Sequence, residues 1–139
     1  MQTLRDLPAL RAAVQALKSD GKPLVLVPTM GALHDGHLSL VDIAQKASDG
    51  VIVSIFVNPT QFDNAKDLQN YPNTLNLDLQ QLRKAGVMAV FLPAAAEIYA
   101  MDSETIVETT QLANRLLGAV RPWHFCGVTT VVRKLFNIV

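Results

Sequence analysis

Apolar residues near the start of the chain recur at helical spacing. They fall at steps of three and four and therefore share one helix face: Leu4, Leu7, Leu10, Val14 and Leu17. Thr3 can cap such a helix at its start, and Gly21 can end it. This pattern predicts an amphipathic helix as the first element of the chain.

Three short aliphatic runs without alternation follow, which is typical of strands buried on both faces of a parallel sheet. They cover residues 24–27, 51–57 and 87–92, and they stop at Pro28, at Asn58-Pro59 and at Pro93. Helical spacing predicts helices at 38–47 and 74–85 between them. The alternation predicts an α/β fold of Rossmann-like type, a parallel sheet with helices on both faces and ligands at the carboxyl ends of the strands.

The pattern weakens after Pro93. Residues 105–109 predict a strand, residues 111–117 a short helix and residues 128–138 a final helix. The chain finishes in the apolar run Asn137-Ile138-Val139 without a capping or turn residue. We therefore expect residues 1–139 to form one domain that has been cut from a longer protein.

Composition and charge narrow the class of protein. Half of the 139 residues are hydrophobic, as in a folded protein, and the length suits a single core. The 12 Lys plus Arg balance 12 Asp plus Glu, so the protein has no net positive charge that would attract nucleic acid. Cys126 is the only cysteine, which excludes an internal disulfide and fits a reducing compartment. The longest apolar run is too short to cross a bilayer. These observations predict a cytoplasmic protein with neither nucleic acid nor membrane as partner.

The strongest chemical signal is the segment from Pro28 to His37, which reads Pro-Thr-Met-Gly-Ala-Leu-His-Asp-Gly-His. It joins a predicted strand to a predicted helix, where glycines allow close backbone approach and free N–H groups attract phosphates. His34 and His37 are three residues apart, so both can donate hydrogen bonds from one side of the first turn. Such donors stabilise charge on an attacked α-phosphate and on leaving pyrophosphate. The alternatives are a metal site, for which no third ligand is evident, or two surface histidines.

Other polar residues follow the later strands. Gln61 comes just after the second strand, and its amide offers a donor and an acceptor that suit a small hydroxy acid, although a solvated loop glutamine is the simpler interpretation. Arg121 and His124 lie in a proline-containing loop, where they either stabilise a phosphate or carboxylate or carry incidental surface charge. Tyr71, before Pro72, either lines a pocket or packs.

The segment 28–37 together with residues 54–62 resembles the pantothenate synthetase (pantoate–β-alanine ligase) family. That family belongs to the superfamily of nucleotidyltransferases and class I aminoacyl-tRNA synthetases, whose His-x-Gly-His element is called the HIGH motif. Tyr71-Pro72 and residues 78–86, 121–128 and 130–139 are also similar, so the resemblance spans nearly the whole chain. Trp123 stands where the family usually has glycine, and a positive φ there would strain tryptophan.

The resemblance implies an ATP-dependent, AMP-forming ligation of pantoate and β-alanine through pantoyl adenylate, with Mg²⁺ on the phosphates, in a homodimer. It implies that His37 and His34 are catalytic and that ATP is bound by Met30, Gly31, Ala32, Leu33, His34, Asp35, Gly36 and His37. It implies that Gln61, Met30 and Asn58 bind pantoate, and that Gln61 also binds β-alanine. Tyr71, Arg121 and His124 are possible pocket residues, and no protein metal site is implied.

The family has further ATP contacts in a second half, a Gly-Glu-Lys-Asp stretch and a Met-Ser-Ser-Arg-like loop, and neither occurs in this chain. We therefore expect residues 1–139 to be the nucleotide-binding domain without the C-terminal domain, and to have little or no ligase activity alone. One alternative is another adenylyltransferase with the same motif, which needs a phosphate-binding lysine or arginine near the neutral Gln61. The other is a non-catalytic module that binds ATP or another ligand.

Overall fold

A computed structural model describes residues 1–18, 21 and 23–139, and a four-stranded parallel sheet forms its centre. The strands are β1 (Gln2–Leu4), β2 (Leu24–Thr29), β3 (Gly50–Ile55) and β4 (Ala89–Phe91). They lie in the order β1-β4-β3-β2, and every neighbouring pair is parallel. Helical segments join β2 to β3 and β3 to β4, so the predicted βαβ units are confirmed.

The helices lie on both faces of this sheet. They are α1 (Leu7–Lys18), α2 (Asp35–Ala47), α3 (Ala65–Gln69), α4 (Leu75–Lys84), α5 (Ala95–Ile98), α6 (Leu117–Val120) and α7 (His124–Ile138), with 3₁₀ turns at Pro59–Gln61 and Leu112–Asn114. In the described part of the chain, no helix is long and apolar enough to cross a membrane.

Two core layers form because successive strand residues face opposite sides of the sheet. Ile52 and Phe91 face the layer that contains α1 and α7, together with Leu10 and Leu135. Their sequence neighbours face the layer that contains α2 and α4, and the members of that layer include Val41, Val53, Leu82 and Val90. The predicted α/β architecture with helices on both faces is therefore confirmed.

The first predicted helix is wrong at its start. Leu4 belongs to β1, where it is in register with Phe91, and α1 begins only at Leu7. The helical spacing continued backward through Leu4 because both elements bury their leucines in the same core layer. Pro28 also does not end its strand, since β2 continues to Thr29. β2 is an edge strand, the position in a sheet that tolerates proline.

The region after β4 differs most from the prediction. Residues 105–109 are not a strand; instead the Val107 N–H donates to the Thr130 hydroxyl at 2.9 Å and its carbonyl accepts from the Thr129 hydroxyl. The helix predicted at 111–117 is replaced by a 3₁₀ turn and the short α6. The final helix begins at His124, four residues earlier than predicted. The local apolar spacing did not indicate that side chains of α7 would hold this segment.

Phe91 and Phe136 give a matched test of the core. Phe91 is fully buried in β4, whereas Phe136 on α7 is 53% exposed. We expect Phe91→Ala to lower the free energy of unfolding by about 3–5 kcal/mol because it leaves a cavity between the sheet and its helices. Phe136→Ala should cost about 0.5 kcal/mol or less. Urea denaturation followed by circular dichroism measures both values, and equal losses would show that the core is placed wrongly.

Candidate functional site

The junction between β2 and α2 has an unusual backbone. Gly31 and Ala32 both have positive φ, +83° and +50°. A Cβ on Gly31 would lie 3.1 Å from Ile55 Cγ2 and 3.2 Å from a carboxylate oxygen of Asp78, so this position needs glycine for its space as well as its φ. The chain therefore passes very close to the end of β3 before it enters α2.

Asp78 of α4 holds this junction. Its carboxylate is 1% exposed and accepts the N–H groups of Ala32 at 3.0 Å and Leu33 at 2.9 Å. The Thr74 hydroxyl lies 3.2 Å from both carboxylate oxygens. Because backbone donors offset the cost of burying a carboxylate, Asp78 fixes the junction to the neighbouring βαβ unit.

The two histidines form the N-terminal cap of α2. His34 is the N-cap residue, and its Nδ1 accepts the Gly36 N–H at 3.1 Å, while Nδ1 of His37 accepts the His34 N–H at 3.4 Å. The imidazole centroids are 4.1 Å apart. A Cβ on Gly36 would lie 2.9 Å from Cε1 of His34, so this glycine lets the ring fold over the helix start.

The caps determine where each neutral imidazole carries its proton. A ring nitrogen that accepts a hydrogen bond has no hydrogen of its own, so both neutral rings carry the proton on Nε2. Each histidine can therefore donate one hydrogen bond to a ligand while uncharged. Burial lowers the pKa of His37, the nearby His34 lowers it further, and the Asp78 carboxylate partly opposes both effects.

Most N–H groups at this junction are already bonded, contrary to the expectation that they would be free. Ala32 and Leu33 donate to Asp78, Gly31 donates to the Thr29 hydroxyl at 3.2 Å, and the His34 and Gly36 N–H groups belong to the cap. The sequence could not indicate this because the acceptor Asp78 is 46 residues from Ala32. The imidazole Nε2–H groups add donors for a ligand at this junction.

Two cavities meet at the carboxyl ends of the strands. The smaller, about 260 Å³, is lined by the polar residues His37, Asn58, Gln61 and Tyr71, with Met30 and a largely apolar wall. The larger, about 400 Å³, lies beside Gly31 and Asp78. Met30 and Tyr71 line both cavities and form the wall between them.

Gln61 is held against the junction by its neighbours. It is 7% exposed at the end of the 3₁₀ turn after β3, and its Nε2 donates to Met30 Sδ at 3.0 Å. Its Oε1 accepts from Asn58 Nδ2 at 3.1 Å. The structure thus brings His37, Gln61 and Met30 to one cavity, and their contacts with ligands stay predictions.

Several predicted site residues have other roles. In the segment 30–37, Leu33 packs in the core, while Ala32, His34, Asp35 and Gly36 line neither cavity. Asn58 lines the smaller cavity, but its side chain is 1% exposed and bonded within the protein. The sequence pattern did not indicate the contribution of Asp78 and Thr74, because an aspartate in the first turn of a helix is typical of any stable helix.

The loop prediction holds for Arg121, which lies between α6 and α7, but is wrong for His124. Arg121 forms an ion pair with Asp67 at 2.9 Å, and His124 is the first residue of α7, with Nδ1 3.0 Å from the Gln61 carbonyl oxygen. Neither residue lines the two cavities. The expected strain at Trp123 is also absent, since its φ is −89° and its side chain is 68% exposed.

Fold and site together define a class: a parallel α/β domain with a nucleotide-binding fold, whose strand-to-helix junction carries two adjacent imidazoles, of which His37 lines a cavity. The sequence model of the family described as Pantoate-beta-alanine ligase matches residues 2–139. The chain belongs to this family. The pantothenate synthetase of Vibrio atlanticus (strain LGP32) is 51% identical to this chain, and the match covers 48% of that protein. The pantothenate synthetase of Vibrio vulnificus (strain YJ016) is 52% identical, and the match covers 47% of it. Both matches cover 100% of this chain.

Solved structures agree. A crystal structure of pantothenate synthetase from Thermus thermophilus matches with a TM-score of 0.89 and 41% identity, over 100% of this chain and 49% of the other. Pantoate-beta-alanine ligase from Francisella tularensis, complexed with beta-gamma ATP and beta-alanine, matches with a TM-score of 0.93 and 42% identity, over 99% of this chain and 53% of the other. The chain thus spans about half the length of the relatives it matches.

The lowered pKa of His37 predicts a pH dependence of stability. The folded protein binds fewer protons than the unfolded chain between the folded pKa and the ordinary value of 6.5. The contribution of His37 to the free energy of unfolding is therefore complete above pH 6.5. It is lost as the pH falls from 6.5 through the pKa of the folded protein. His37→Gln keeps a capping-box residue but does not titrate. We expect denaturation at about pH 7.5 and about pH 5.5 to show a smaller drop for this variant than for the wild type, and an equal drop would count against the assignment.

Proposed function

We propose that this chain is the nucleotide- and pantoate-binding part of a pantoate–β-alanine ligase. The observation that carries the proposal is the shared cavity of His37 and Gln61 at the β2–α2 junction, in a chain of this family. The Francisella relative is described as complexed with beta-gamma ATP and beta-alanine, which supports the same ligand classes here. In this proposal His34 and His37 face the phosphates of ATP, and the smaller cavity holds pantoate.

The chemistry of the smaller cavity suits pantoate. Pantoate carries two methyl groups on the carbon between its hydroxyl-bearing carbons, so it needs an apolar wall as well as polar partners. The cavity provides both: Gln61 is its polar anchor, and Pro28, Phe56, Val128, Val131, Val132 and Leu135 form the apolar side. Gln61 also faces Met30, so an acid bound there would lie next to the histidine pair.

The proposed reaction has two steps. A pantoate carboxylate oxygen bonds to the α-phosphorus of ATP, and the bond from that phosphorus to the bridging oxygen breaks, so pyrophosphate leaves with the electron pair. The Nε2–H donors of His37 and His34 stabilise the charge that develops on the phosphates. The β-alanine amine, which Gln61 borders, then attacks the acyl carbon of pantoyl adenylate. AMP leaves, the amine loses a proton, and an amide forms.

Mg²⁺ enters this proposal with the nucleotide. Among the residues that the structure describes, no group of three or more His, Cys, Asp and Glu is placed to hold a metal ion, and the buried Asp78 is bonded to backbone N–H groups. Mg²⁺ commonly binds through substrate phosphates with few protein ligands, so the residues present fit an ion carried by ATP. When bound, it would neutralise phosphate charge.

A phosphorylated acceptor, as in other adenylyltransferases of this superfamily, is less well supported. Within the described part of the chain, neither a lysine nor an arginine lines the two cavities. Recognition of a phosphate normally uses such cations, and Arg groups in particular bind it in bidentate fashion. The neutral amide of Gln61 favours a carboxylic acid with hydroxyl groups.

The cytoplasmic location stays a prediction.

The binding proposal can be tested with the 139-residue chain itself. We expect isothermal titration calorimetry to detect ATP and pantoate, and His37→Ala to weaken ATP binding roughly tenfold through the lost hydrogen bond to phosphate. Leu40→Ala, an exposed change on the same helix, is the control. We expect little or no pantothenate formation from this chain alone. Absence of ATP and pantoate binding would overturn the binding proposal. Measurable pantothenate formation would overturn the expectation that this chain alone has little or no ligase activity.

We also propose that the chain forms a homodimer. A contiguous segment exposes large apolar side chains, which is unusual on a monomer surface: Leu112 at 75%, Leu116 at 90%, Val120 at 78% and Trp123 at 68%. We name Leu112, Leu116, Val120 and Trp123 the apolar patch. A second copy of the chain would cover it in a symmetric contact, as most homo-oligomers do.

Sedimentation velocity tests the dimer. We expect the wild type to sediment as a dimer at micromolar concentration and Val120→Asp as a monomer, because a charge in the apolar patch opposes its burial. Met101→Asp, at a fully exposed position outside the patch, should remain dimeric. A monomeric wild type would rule the proposal out.

A further inference from the structure

The amide of Asn58 can be oriented without ambiguity. Its Oδ1 lies 3.3 Å from the backbone N–H of Thr60, which can only donate. Its Nδ2 lies 3.0 Å from the backbone carbonyl of Gly127, which can only accept. These two backbone groups fix which end of the amide is oxygen and which is nitrogen, independently of any choice for other side chains.

The orientation of Asn58 determines that of Gln61. Asn58 Nδ2 donates its second hydrogen toward Gln61 at 3.1 Å, so the atom of Gln61 at that position must be the acceptor Oε1. The remaining end of the Gln61 amide is therefore Nε2, on the side of Met30 Sδ and the smaller cavity. A thioether is a weak acceptor, so a ligand oxygen can replace it.

Two residues outside the cavity hold this arrangement. The Tyr99 hydroxyl donates to Asn58 Oδ1 at 2.8 Å and also lies 3.1 Å from the Thr60 hydroxyl. Burial raises the pKa of Tyr99, although its hydrogen bonds with Thr60 and Asn58 lower it in part, and the hydroxyl keeps its proton. His124 Nδ1 must donate to the Gln61 carbonyl oxygen, 3.0 Å away, because a carbonyl only accepts.

The start of α7 lies against the turn that carries Gln61. A Cβ on Gly127 would lie 2.6 Å from the Thr60 carbonyl oxygen and 2.7 Å from the Gln61 nitrogen. Only glycine permits this approach, and it brings the Gly127 carbonyl to Asn58 and the His124 ring to Gln61. Tyr99 reinforces the Asn58 orientation that these backbone groups set, and His124 holds the backbone of Gln61.

We propose that Tyr99 and His124 are positioning residues that hold Gln61, one through Asn58 and the other through the backbone, with its Nε2–H donors toward the ligand. The ligand atom beside Nε2 must then be an acceptor, such as a carboxylate or hydroxyl oxygen, and not an ammonium nitrogen. The inference rests on the proposed pantoate site and specifies how that site recognises an oxygen-rich acid.

Gln61→Glu tests the polarity of the amide. The glutamate keeps an oxygen facing Asn58 Nδ2 and replaces only the cavity-facing nitrogen by a second oxygen. We expect calorimetry to show pantoate affinity lowered more than tenfold, with ATP affinity within about twofold of the wild type. Unchanged pantoate affinity would mean that Gln61 does not donate to it, and the inference would be wrong.

Matched variants test the two positioning residues. Tyr99→Phe removes the hydroxyl but keeps the ring next to Phe56 and under Lys134. His124→Asn keeps a donor close to the position of Nδ1, whereas His124→Gln moves it toward Nε2. We expect Tyr99→Phe and His124→Gln to weaken pantoate binding roughly threefold to tenfold, and His124→Asn to restore it. Equal losses of ATP and pantoate affinity, or failure of His124→Asn to differ from His124→Gln, would indicate a purely structural role and overturn the proposal.

Nuclear magnetic resonance separates this inference from the proposed function. With three histidines in the chain, ¹⁵N spectra at neutral pH should show His124 as the Nδ1–H tautomer and His34 and His37 as Nε2–H. The Gln61 side-chain amide, identified by its loss in Gln61→Glu, should shift in Tyr99→Phe. If the wild type bound no pantoate but showed these signatures, the proposed function would fail and the positioning would stand. An Nε2–H tautomer of His124, or an unshifted Gln61 amide, would overturn the positioning.

Discussion

The site depends on one buried carboxylate. Asp78 accepts two consecutive backbone N–H groups of a junction that contains left-handed Gly31 and Ala32. A non-glycine residue in that conformation costs about 1–2 kcal/mol, and burial of a carboxylate is costly without hydrogen-bond donors. Each feature compensates for the other, because the bent backbone presents two N–H groups to one acid. The histidine cap of α2 begins immediately after this anchor, so its geometry is inherited from Asp78.

The second half of the site depends on backbone contacts at the end of β3. The 3₁₀ turn after that strand is held by α7, which approaches it closely at Gly127. The sheet brings the two halves together, since β2 and β3 are neighbours in parallel register from Leu24 with Gly50 to Thr29 with Ile55. Residues that follow the two strands are thereby placed beside each other, as the βαβ pattern requires.

Much of the fold could be predicted from local patterns. The aliphatic runs that became β2, β3 and β4 are typical of a buried parallel sheet, and the spacing around Leu82 favoured a helix. The errors fell where contacts with residues distant in the sequence determine the local structure. Leu4 pairs with β4 instead of extending α1, and Val107 is held by side chains of α7.

The candidate site divides in the same way. The sequence indicated His37 because the segment 28–37 joins a predicted strand to a predicted helix, which is a local property, whereas for Gln61 the resemblance to the family favoured a binding role. It could not indicate that the junction N–H groups are already bonded, or that His124 faces the Gln61 carbonyl, because those partners are separated by 46 and 63 residues. Donor and acceptor roles in such a network follow only from the three-dimensional arrangement.

The position of Met30 between the two cavities has a consequence for ligand binding. A methionine side chain is unbranched and flexible, and a single amide N–H from Gln61 holds its sulfur. The spaces of about 260 Å³ and 400 Å³ therefore share a flexible side chain that can adapt to the shape of a ligand without a change in the strand or helix on either side of it.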